Sequence, residues 1–410
     1  MLYEPVCRIA LATTEGTVDT RPSVVFFTFA PPVLRVNHPL RKALEPIARA
    51  ARRSRAAADG LAAYAAGLPD SGDIRVSYGF DVPPPTAQVH GGIVKLQSLA
   101  ERFPHEPRRF NLLYLVSSRL PDAAPLVARL ARAKGAKIVL NQNGVAYPAW
   151  CPSDWDRVNE PMAGVLRLAD YVFYQSTFCK VAADRFLGPP PAAHDVVYNP
   201  VDTSRFVPRD SQKPDGLTLL LAGTQHAEYR VATAIEVLAR VARRVPSVRL
   251  LVTGRLRWKP EAIASREMNE LAQSLGVADR VEWIGPYAPH DAPAIFQRAD
   301  ILVHTKYKDP CPTVVLEAMA CGLPIVYSAS GGVPELVGED AGVGVPAEDR
   351  WDRDVPPNPD RMAEAVMTAA DRRPALSSAA RRRASERFDV GGWIALHETL
   401  FASLCPQKTA

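Results

Sequence analysis

Between Asp309 and Glu335 the chain reads DPCPTVVLEAMACGLPIVYSASGGVPE. Asp309 and Glu317 are separated by seven positions, and an apolar helix is expected from about residue 313 to 321. A helix N-terminus presents free N–H groups and a partial positive charge, which suits a diphosphate. Pro310 and Pro312 have no N–H. The donors left are the amides of Cys311, Thr313 and Val314, with the Thr313 hydroxyl beside them. Asp309 would then reach sugar hydroxyls, and Glu317 would accept from ribose hydroxyls. The same spacing also fits a plainer arrangement, in which Asp309 caps the helix and Glu317 is a solvated helix residue. Cys311 sits between two prolines at a helix start, so a lowered thiol pKa is expected. No histidine partner accompanies it, and it is not read as a nucleophile.

The elements that must position these residues are legible in the hydrophobic rhythm. From residue 73 onward, short apolar strands alternate with helical patterns. Strands are expected at 74–78, 111–116, 137–140, 171–174 and 196–198. A loop is expected at 88–92. The helix over 93–103 follows from apolar residues at 93, 96, 99, 100 and 103, and that over 125–134 is stopped by Gly135. A polar, Pro- and Gly-containing stretch at 201–216 reads as a linker. A second series follows, with strands at 218–222, 248–253, 281–284, 301–303 and 325–327 and helices at 231–245 and 266–275. Continuous apolar strands alternating with helices predict parallel sheets covered on both faces. The fold class is therefore α/β, with two Rossmann-like doubly wound domains facing a central cleft. Ligands in such sheets bind beyond the carboxyl ends of the strands.

Composition narrows the function classes. At 410 residues the chain is long enough for two or three domains. A net charge of +5 is too modest for a dedicated nucleic-acid binder, and it suits an anionic ligand or loose contact with an anionic membrane surface. No apolar run has the length of a membrane helix, and residues 1–12 do not read as a signal peptide. The six cysteines show no paired spacing. Cys7, Cys151, Cys179, Cys321 and Cys405 are expected to be reduced thiols, with neither a disulfide framework nor a metal site. Residues 1–72 do not share the rhythm of the rest. Residues 24–29 suit a strand, and 40–66 are Ala/Arg-rich and helical in pattern. This segment is mildly basic, with nine Lys and Arg against six Asp and Glu, and either a membrane-surface helix or a packing extension fits it.

The stretch from Asp309 resembles the signature of the retaining glycosyltransferases of family four, which have the GT-B fold. The matching residues are Glu317-Ala318-Met319-Ala320-Cys321-Gly322-Leu323-Pro324 and Gly331-Gly332-Val333-Pro334-Glu335. Asp309 stands where the family usually has Glu, which bears on sugar preference more than on reaction class. Residues 197–202 with Phe206 resemble the domain-joining motif, 279–285 the strand beside the nucleobase, and 388–404 a C-terminal helix that crosses back to the first domain. The resemblance implies four segments. These are an extension of unclear role (1–72), an acceptor domain (73–205), a nucleotide-sugar donor domain (206–387) and the returning helix (388–410).

It also implies roles. Gly223, Thr224 and His226 follow the first strand of the donor domain, where the family has a diphosphate-binding Arg and Lys. Thr224 replaces the Arg, and Arg230 lies near the Lys position and offers a bidentate phosphate contact. Arg255 and Lys259 are weaker candidates from the neighbouring loop. Tyr287 follows the strand beside the base. In the first domain, Gly91 and Gly92 occupy the family's glycine loop, with His90 before them. Asn141 and Asn143 end a strand where amides can bind hydroxyls but cannot act as a base. Gln175 ends the next strand, and Tyr147 and Trp150 offer an aromatic face. Asp309, Arg230 and Asn143 are the expected catalytic residues.

The implied reaction is metal-independent transfer of a hexose, with retention, from a nucleotide-diphosphate sugar to an acceptor hydroxyl. The donor is a UDP-sugar by default, with GDP-mannose as the alternative. The expected acceptor is a glycan or a lipid-linked intermediate. No cofactor beyond the co-substrate is expected, and no nucleic-acid partner. The expected place is the cytoplasm, with possible peripheral contact at the inner membrane face. A non-catalytic nucleotide-sugar-binding subunit of a glycan-assembly complex is the competing reading. An oxidoreductase would need a Gly-x-Gly-x-x-Gly run between strand and helix, and none is found.

Overall fold

The computed structural model describes residues 39–70, 72–87, 89, 91–209 and 216–406. The expected strand at 24–29, Cys7 and His90 lie outside the described residues. The first series runs α1 (Pro39–Ala66), β1 (Val76–Ser77), α2 (Gly91–Arg102), β2 (Leu112–Val116), α3 (Ala124–Ala133), β3 (Lys137–Gln142), α4 (Trp155–Leu166), β4 (Tyr171–Tyr174), α5 (Thr177–Phe186) and β5 (Ala193–Val196). The second runs β6 (Thr218–Leu221), α6 (Glu228–Ala242), β7 (Arg249–Thr253), α7 (Glu261–Ser274), β8 (Val281–Gly285), α8 (Ala292–Gln297), β9 (Ile301–His304), α9 (Thr313–Ala320), β10 (Ile325–Ala329), α10 (Val333–Val337) and β11 (Gly342–Pro346). Three helices close the chain: α11 (Pro359–Asp371), α12 (Arg373–Arg387) and α13 (Val390–Leu404).

The first sheet has the order β1-β2-β3-β4-β5 and the second β11-β10-β9-β6-β7-β8, every pairing parallel. Successive strand side chains point to opposite faces. Leu112, Tyr114 and Val116 of β2 therefore meet Leu96 and Leu99 of α2, Phe103 just after it, and Trp393 and Phe401 of α13. Leu113 and Leu115 pack on the other side, against alanines of α3 and α5 and Val165 and Leu166 of α4. In the second sheet Leu219 and Leu221 pack with α6 and α11, whereas Leu220 and Leu302 pack with α8 and α9. Two parallel sheets covered by interleaved helices make this the two-domain GT-B architecture.

In the second sheet the strand order reverses between β6 and β9, which are paired neighbours but far apart in sequence. Such a switch point leaves a crevice beyond the strands' carboxyl ends. The loops after β6 and β9 carry Gly223 to His226 and Lys306 to Asp309.

The chain crosses between the sheets twice, and the crossings pair with each other. Val201 N–H donates to the Phe388 carbonyl at 2.8 Å and Val390 N–H to the Val201 carbonyl at 3.0 Å. After the second crossing, α13 places Trp393, His397 and Phe401 against α2 and β2. The His397 ring meets the Tyr114 hydroxyl at 2.9 Å.

Two expectations are corrected. The last strand of the first sheet is Ala193–Val196 rather than 196–198. Gly91 and Gly92 form the first turn of α2 rather than a loop before it. The C-terminal part of α1 packs on the first sheet's helices: Ala63 is buried, and a Cβ on Gly60 would touch Leu130 at 3.1 Å. Among the described residues, no helix is long and apolar enough to cross a membrane.

Candidate active site

At the carboxyl end of β6 the chain turns at Gly223, whose φ of +87° places it in the left-handed region that glycine tolerates. Its amide donates to the Thr253 hydroxyl at 3.2 Å. A Cβ there would stand 3.4 Å from Val314 Cγ1, so this turn lies against the first turn of α9. Thr224 and His226 are exposed in the same loop. The His226 pKa is lowered, first by burial and then by the charges of Arg230, Lys306 and Arg257. Cations thus gather around this loop.

Arg230, in the first turn of α6, is 5% exposed. One guanidinium nitrogen donates to the Thr224 carbonyl at 3.1 Å, while Nε has no hydrogen-bond partner among the described residues. A buried donor without a partner costs free energy, and an arriving anion would supply that partner. Arg255 and Lys259 are engaged elsewhere, by Glu261 at 3.4 Å and Glu267 at 2.8 Å.

The loop after β9 is pinned to the start of α6 by Thr305 Oγ1 donating to the Arg230 carbonyl at 2.8 Å and by the Tyr229 hydroxyl, which accepts from Tyr307 N–H at 3.0 Å. It carries Asp309, 8% exposed, with one carboxylate oxygen 3.1 Å from His304 Nε2 and the other 3.0 Å from Lys306 Nζ. Burial alone would raise the Asp309 pKa. Lys306, His304 and Arg230 outweigh it and hold the carboxyl well below the usual carboxylate range. His304 itself is pushed toward the neutral form by burial. The turn is clamped from behind, since a Cβ on Gly331 would lie 2.5 Å from the Asp309 carbonyl oxygen and one on Gly332 1.9 Å from that of Pro310. Neither position has room for a side chain.

Helix α9 begins without a side-chain cap. The amides of Cys311, Thr313 and Val314 have no hydrogen-bond partner among the described residues, and Thr313 and Val314 are only partly buried. One turn on, the Glu317 carboxyl also lacks a hydrogen bond among the described residues. Burial raises its pKa to about 7, opposed by Arg205. Tyr287 lies close enough for the Glu317 charge to add to the effect of burial in raising its hydroxyl pKa. Glu317, Tyr287, Gly223 and the start of α9 therefore lie together. The Cys311 expectation is corrected: burial pushes that thiol up, and its Sγ accepts from Asn199 N–H at 3.3 Å.

The first-domain candidates meet in a different way. Asn141 is 1% exposed and Asn143 5%. Both amide oxygens accept from Lys95 Nζ, at 2.6 and 2.7 Å. The Asn143 NH2 donates to Ser118 Oγ at 2.7 Å, and that of Asn141 to the Tyr114 hydroxyl at 2.9 Å. Both amides spend their groups on the floor of the cleft. Gly92 is needed for an approach to protein, because a Cβ there would sit 2.2 Å from Ser118 Oγ. Tyr147 is buried edge-on to Trp351, with centroids 5.1 Å apart, and Trp150 is 61% exposed.

Several contributors carried no sequence signal as site residues. Lys95 lies off the apolar stripe of α2 and reads as a solvated cation, yet it is 2% exposed. His304 and Lys306 flank Asp309 but mark no motif. Trp351, in the loop after β11, reaches into the first domain. It stacks on Phe178 with centroids 5.5 Å apart, lies 3.6 Å from Lys308 Nζ, and accepts from Ala149 N–H at 2.9 Å.

Comparison with known proteins places the second half of this site. Residues 205–384 match the family described as Glycosyl transferases group 1. That segment belongs to this family. It contains Gly223, Arg230, Asp309 and the whole of α9. A D-inositol 3-phosphate glycosyltransferase of Mycobacteroides abscessus is 32% identical over 156 residues. The match spans 36% of this chain and 34% of that protein, so it covers about a third of the relative's length. Among solved structures, sucrose-phosphate synthase from Thermosynechococcus elongatus has a TM-score of 0.58 at 18% identity, covering 72% of this chain and 74% of that one. Anabaena HepE in complex with UDP has a TM-score of 0.57 at 18% identity, covering 78% and 85%. These structural likenesses bear on the fold, and the group 1 assignment rests on the segment match.

Proposed function

We propose that the protein transfers a hexose from a nucleotide-diphosphate sugar to an acceptor hydroxyl, with retention and without a metal. The observation that carries this reading is the open start of α9. The side chain of Val314 in its first turn lies against the Gly223 turn, the next residue Thr224 holds Arg230 with its Nε unpaired, and the unbonded Glu317 carboxyl sits one turn further on. Amides and guanidinium suit a diphosphate, and the carboxylate suits ribose hydroxyls. UDP is the favoured nucleotide, and the UDP bound by Anabaena HepE supports that choice.

In the reaction the bond between the sugar's anomeric carbon and the diphosphate oxygen breaks. The acceptor oxygen bonds to the same face of that carbon, and its proton passes to the departing diphosphate. Arg230, Lys306 and the α9 amides stabilise the charge that develops there. Asp309, fixed by His304 and Lys306, faces the sugar hydroxyls. The first-domain loops present the acceptor, a glycan or lipid-linked hydroxyl. Metal independence is part of the proposal, and the transfer assays in EDTA below test it. A cytoplasmic location, with peripheral contact at the inner membrane face, accords with the five described cysteines being free thiols.

The test is a thermal-shift screen over nucleoside diphosphates and nucleotide sugars, followed by transfer assays in EDTA with the product's anomeric configuration read by NMR. A bound donor raises the Tm in proportion to ln(1 + [L]/Kd). No shift with any nucleotide would overturn the reading. One observation favours a non-catalytic nucleotide-sugar-binding subunit instead: both Asp309 oxygens are already engaged. Tight donor binding with neither transfer nor hydrolysis would select that alternative.

A further inference from the structure

The most unusual buried group in the described chain lies beneath the acceptor side of the cleft. Lys95 Nζ is within hydrogen-bond distance of four side-chain amide oxygens: Asn141 at 2.6 Å, Asn143 at 2.7 Å, Asn199 at 3.1 Å and Gln175 at 3.5 Å. These come from the ends of β3 and β4 and from the crossing between the domains. Among the described residues no carboxylate pairs with it. The titratable groups facing this cluster are the Cys179 thiol of α5, the Cys311 thiol ahead of α9, the Tyr114 hydroxyl of β2 and the His397 ring of α13. Burial pushes both thiols up and His397 down, so all four are neutral near pH 7.

We infer that Lys95 is a positioning residue for the proposed transfer, whose ammonium turns four amide oxygens inward and, through Asn199, holds the start of α9 against the first domain. The inference rests on the function proposed above. With its oxygen on Lys95, Asn199 is left with its NH2 outward, and that group donates to the Cys311 carbonyl at 2.7 Å. Cys311 is two residues ahead of Thr313. An ammonium offers three protons to the oxygens, whereas a neutral amine offers two and turns a lone pair on a third. The cheapest relief is to turn an amide over. If Asn199 turns, its oxygen meets the Cys311 carbonyl and the cross-domain bond is lost. Burial lowers the Lys95 pKa to about 7, which puts this change within the working range.

The test compares wild type, Gln175→Glu and Lys95→Met. Gln175→Glu sets a carboxylate near the ammonium without touching Asn199 or Cys311. Wild-type kcat is expected to fall as pH rises above about 7, and in Gln175→Glu that limb should move up by about 1–3 pH units, with KM for the nucleotide sugar unchanged. Lys95→Met should lower kcat by about 100-fold, again with little change in donor KM. Amide exchange over residues 315–320, the hydrogen-bonded part of α9, compared at one pH in the free protein, should be faster in Lys95→Met and slower at pH 8 in Gln175→Glu. An unmoved alkaline limb in Gln175→Glu, or wild-type exchange in both variants, overturns the inference. If Lys95→Met does not fold, Gln175→Glu carries the test alone. If wild type transfers no sugar, the function reading fails, and exchange at 315–320 still decides the role of Lys95.

Discussion

Glu335 of the second domain caps a helix of the first: its carboxylate accepts from the Thr177 amide at 2.7 Å and the Phe178 amide at 2.8 Å, at the start of α5. The Tyr198 hydroxyl adds a third contact at 3.3 Å. A carboxylate at a helix N-terminus satisfies orphan amides and complements the helix dipole. Here the cap also ties the Gly331-Gly332 turn, and so the Asp309 turn it clamps, to the first domain.

Glu335→Gln retains one acceptor oxygen and loses the charge. Stability is expected to fall by about 1 kcal/mol in urea unfolding, and Glu335→Ala by about 1–2 kcal/mol. Both variants should open the cleft, seen as a larger radius of gyration in solution scattering. An unchanged radius in Glu335→Ala would show that the cap does not hold the domains together.

Trp351 is the second tie. It stacks on Phe178, meets Tyr147 and Phe186 at their edges or at a tilt, and covers Lys308, whose ammonium also pairs with Asp349. Being partly exposed, it should cost less than a fully buried tryptophan on truncation, about 2–3 kcal/mol for Trp351→Ala. Since Lys308 adjoins Asp309, turnover should fall as well. Trp351→Phe should restore most of both, and equal loss in the Phe and Ala variants would rule out aromatic stacking as the cause.

Arg230 should show function opposed to stability. Its guanidinium is buried with Nε unpaired, and burial lowers its pKa. Arg230→Met removes an incompletely satisfied buried charge and leaves Asp309 its pairs with His304 and Lys306. The Tm is expected to rise or hold in calorimetry, while kcat falls by about 100–1000-fold through loss of charge stabilisation at the diphosphate. Full turnover in this variant would remove Arg230 from the mechanism.

Nucleotide binding through Glu317, as proposed, is expected to be pH-linked. Burial holds its folded-state pKa at about 7, above the unfolded value. A raised pKa contributes stability that is complete below the unfolded pKa and is lost as pH rises through the folded one. Glu317→Gln should therefore match wild type at pH 4 and exceed it in Tm at pH 8. Ribose hydroxyls donate to the ionised form, so donor binding near pH 7 should release a proton. Calorimetric titrations in buffers of different ionisation enthalpy read that release, and identical heats would remove the ribose contact.

The candidate residues around α9 were legible because their pattern is local. Asp309, the two prolines, the start of α9 and Glu317 lie within nine consecutive residues. A helix start imposes free amides whatever surrounds it. Gly331 and Gly332 were visible as a motif, but the reason for them was not: they lie against the carbonyls of Asp309 and Pro310. The Cys311 expectation failed for the same cause. Flanking prolines suggested an activated thiol, and burial decided otherwise.

By itself the sequence determined the strand–helix alternation, the two parallel sheets and the helix start at Thr313, because periodicity and helix-end chemistry act over a few residues. Only the tertiary structure decided what Lys95, Glu335 and Trp351 do. The partners of Lys95 lie 46, 48, 80 and 104 positions away, and those of Glu335 lie 157 and 158 away. A lone lysine, glutamate or tryptophan reads as a surface side chain until the fold removes water from around it and supplies those partners.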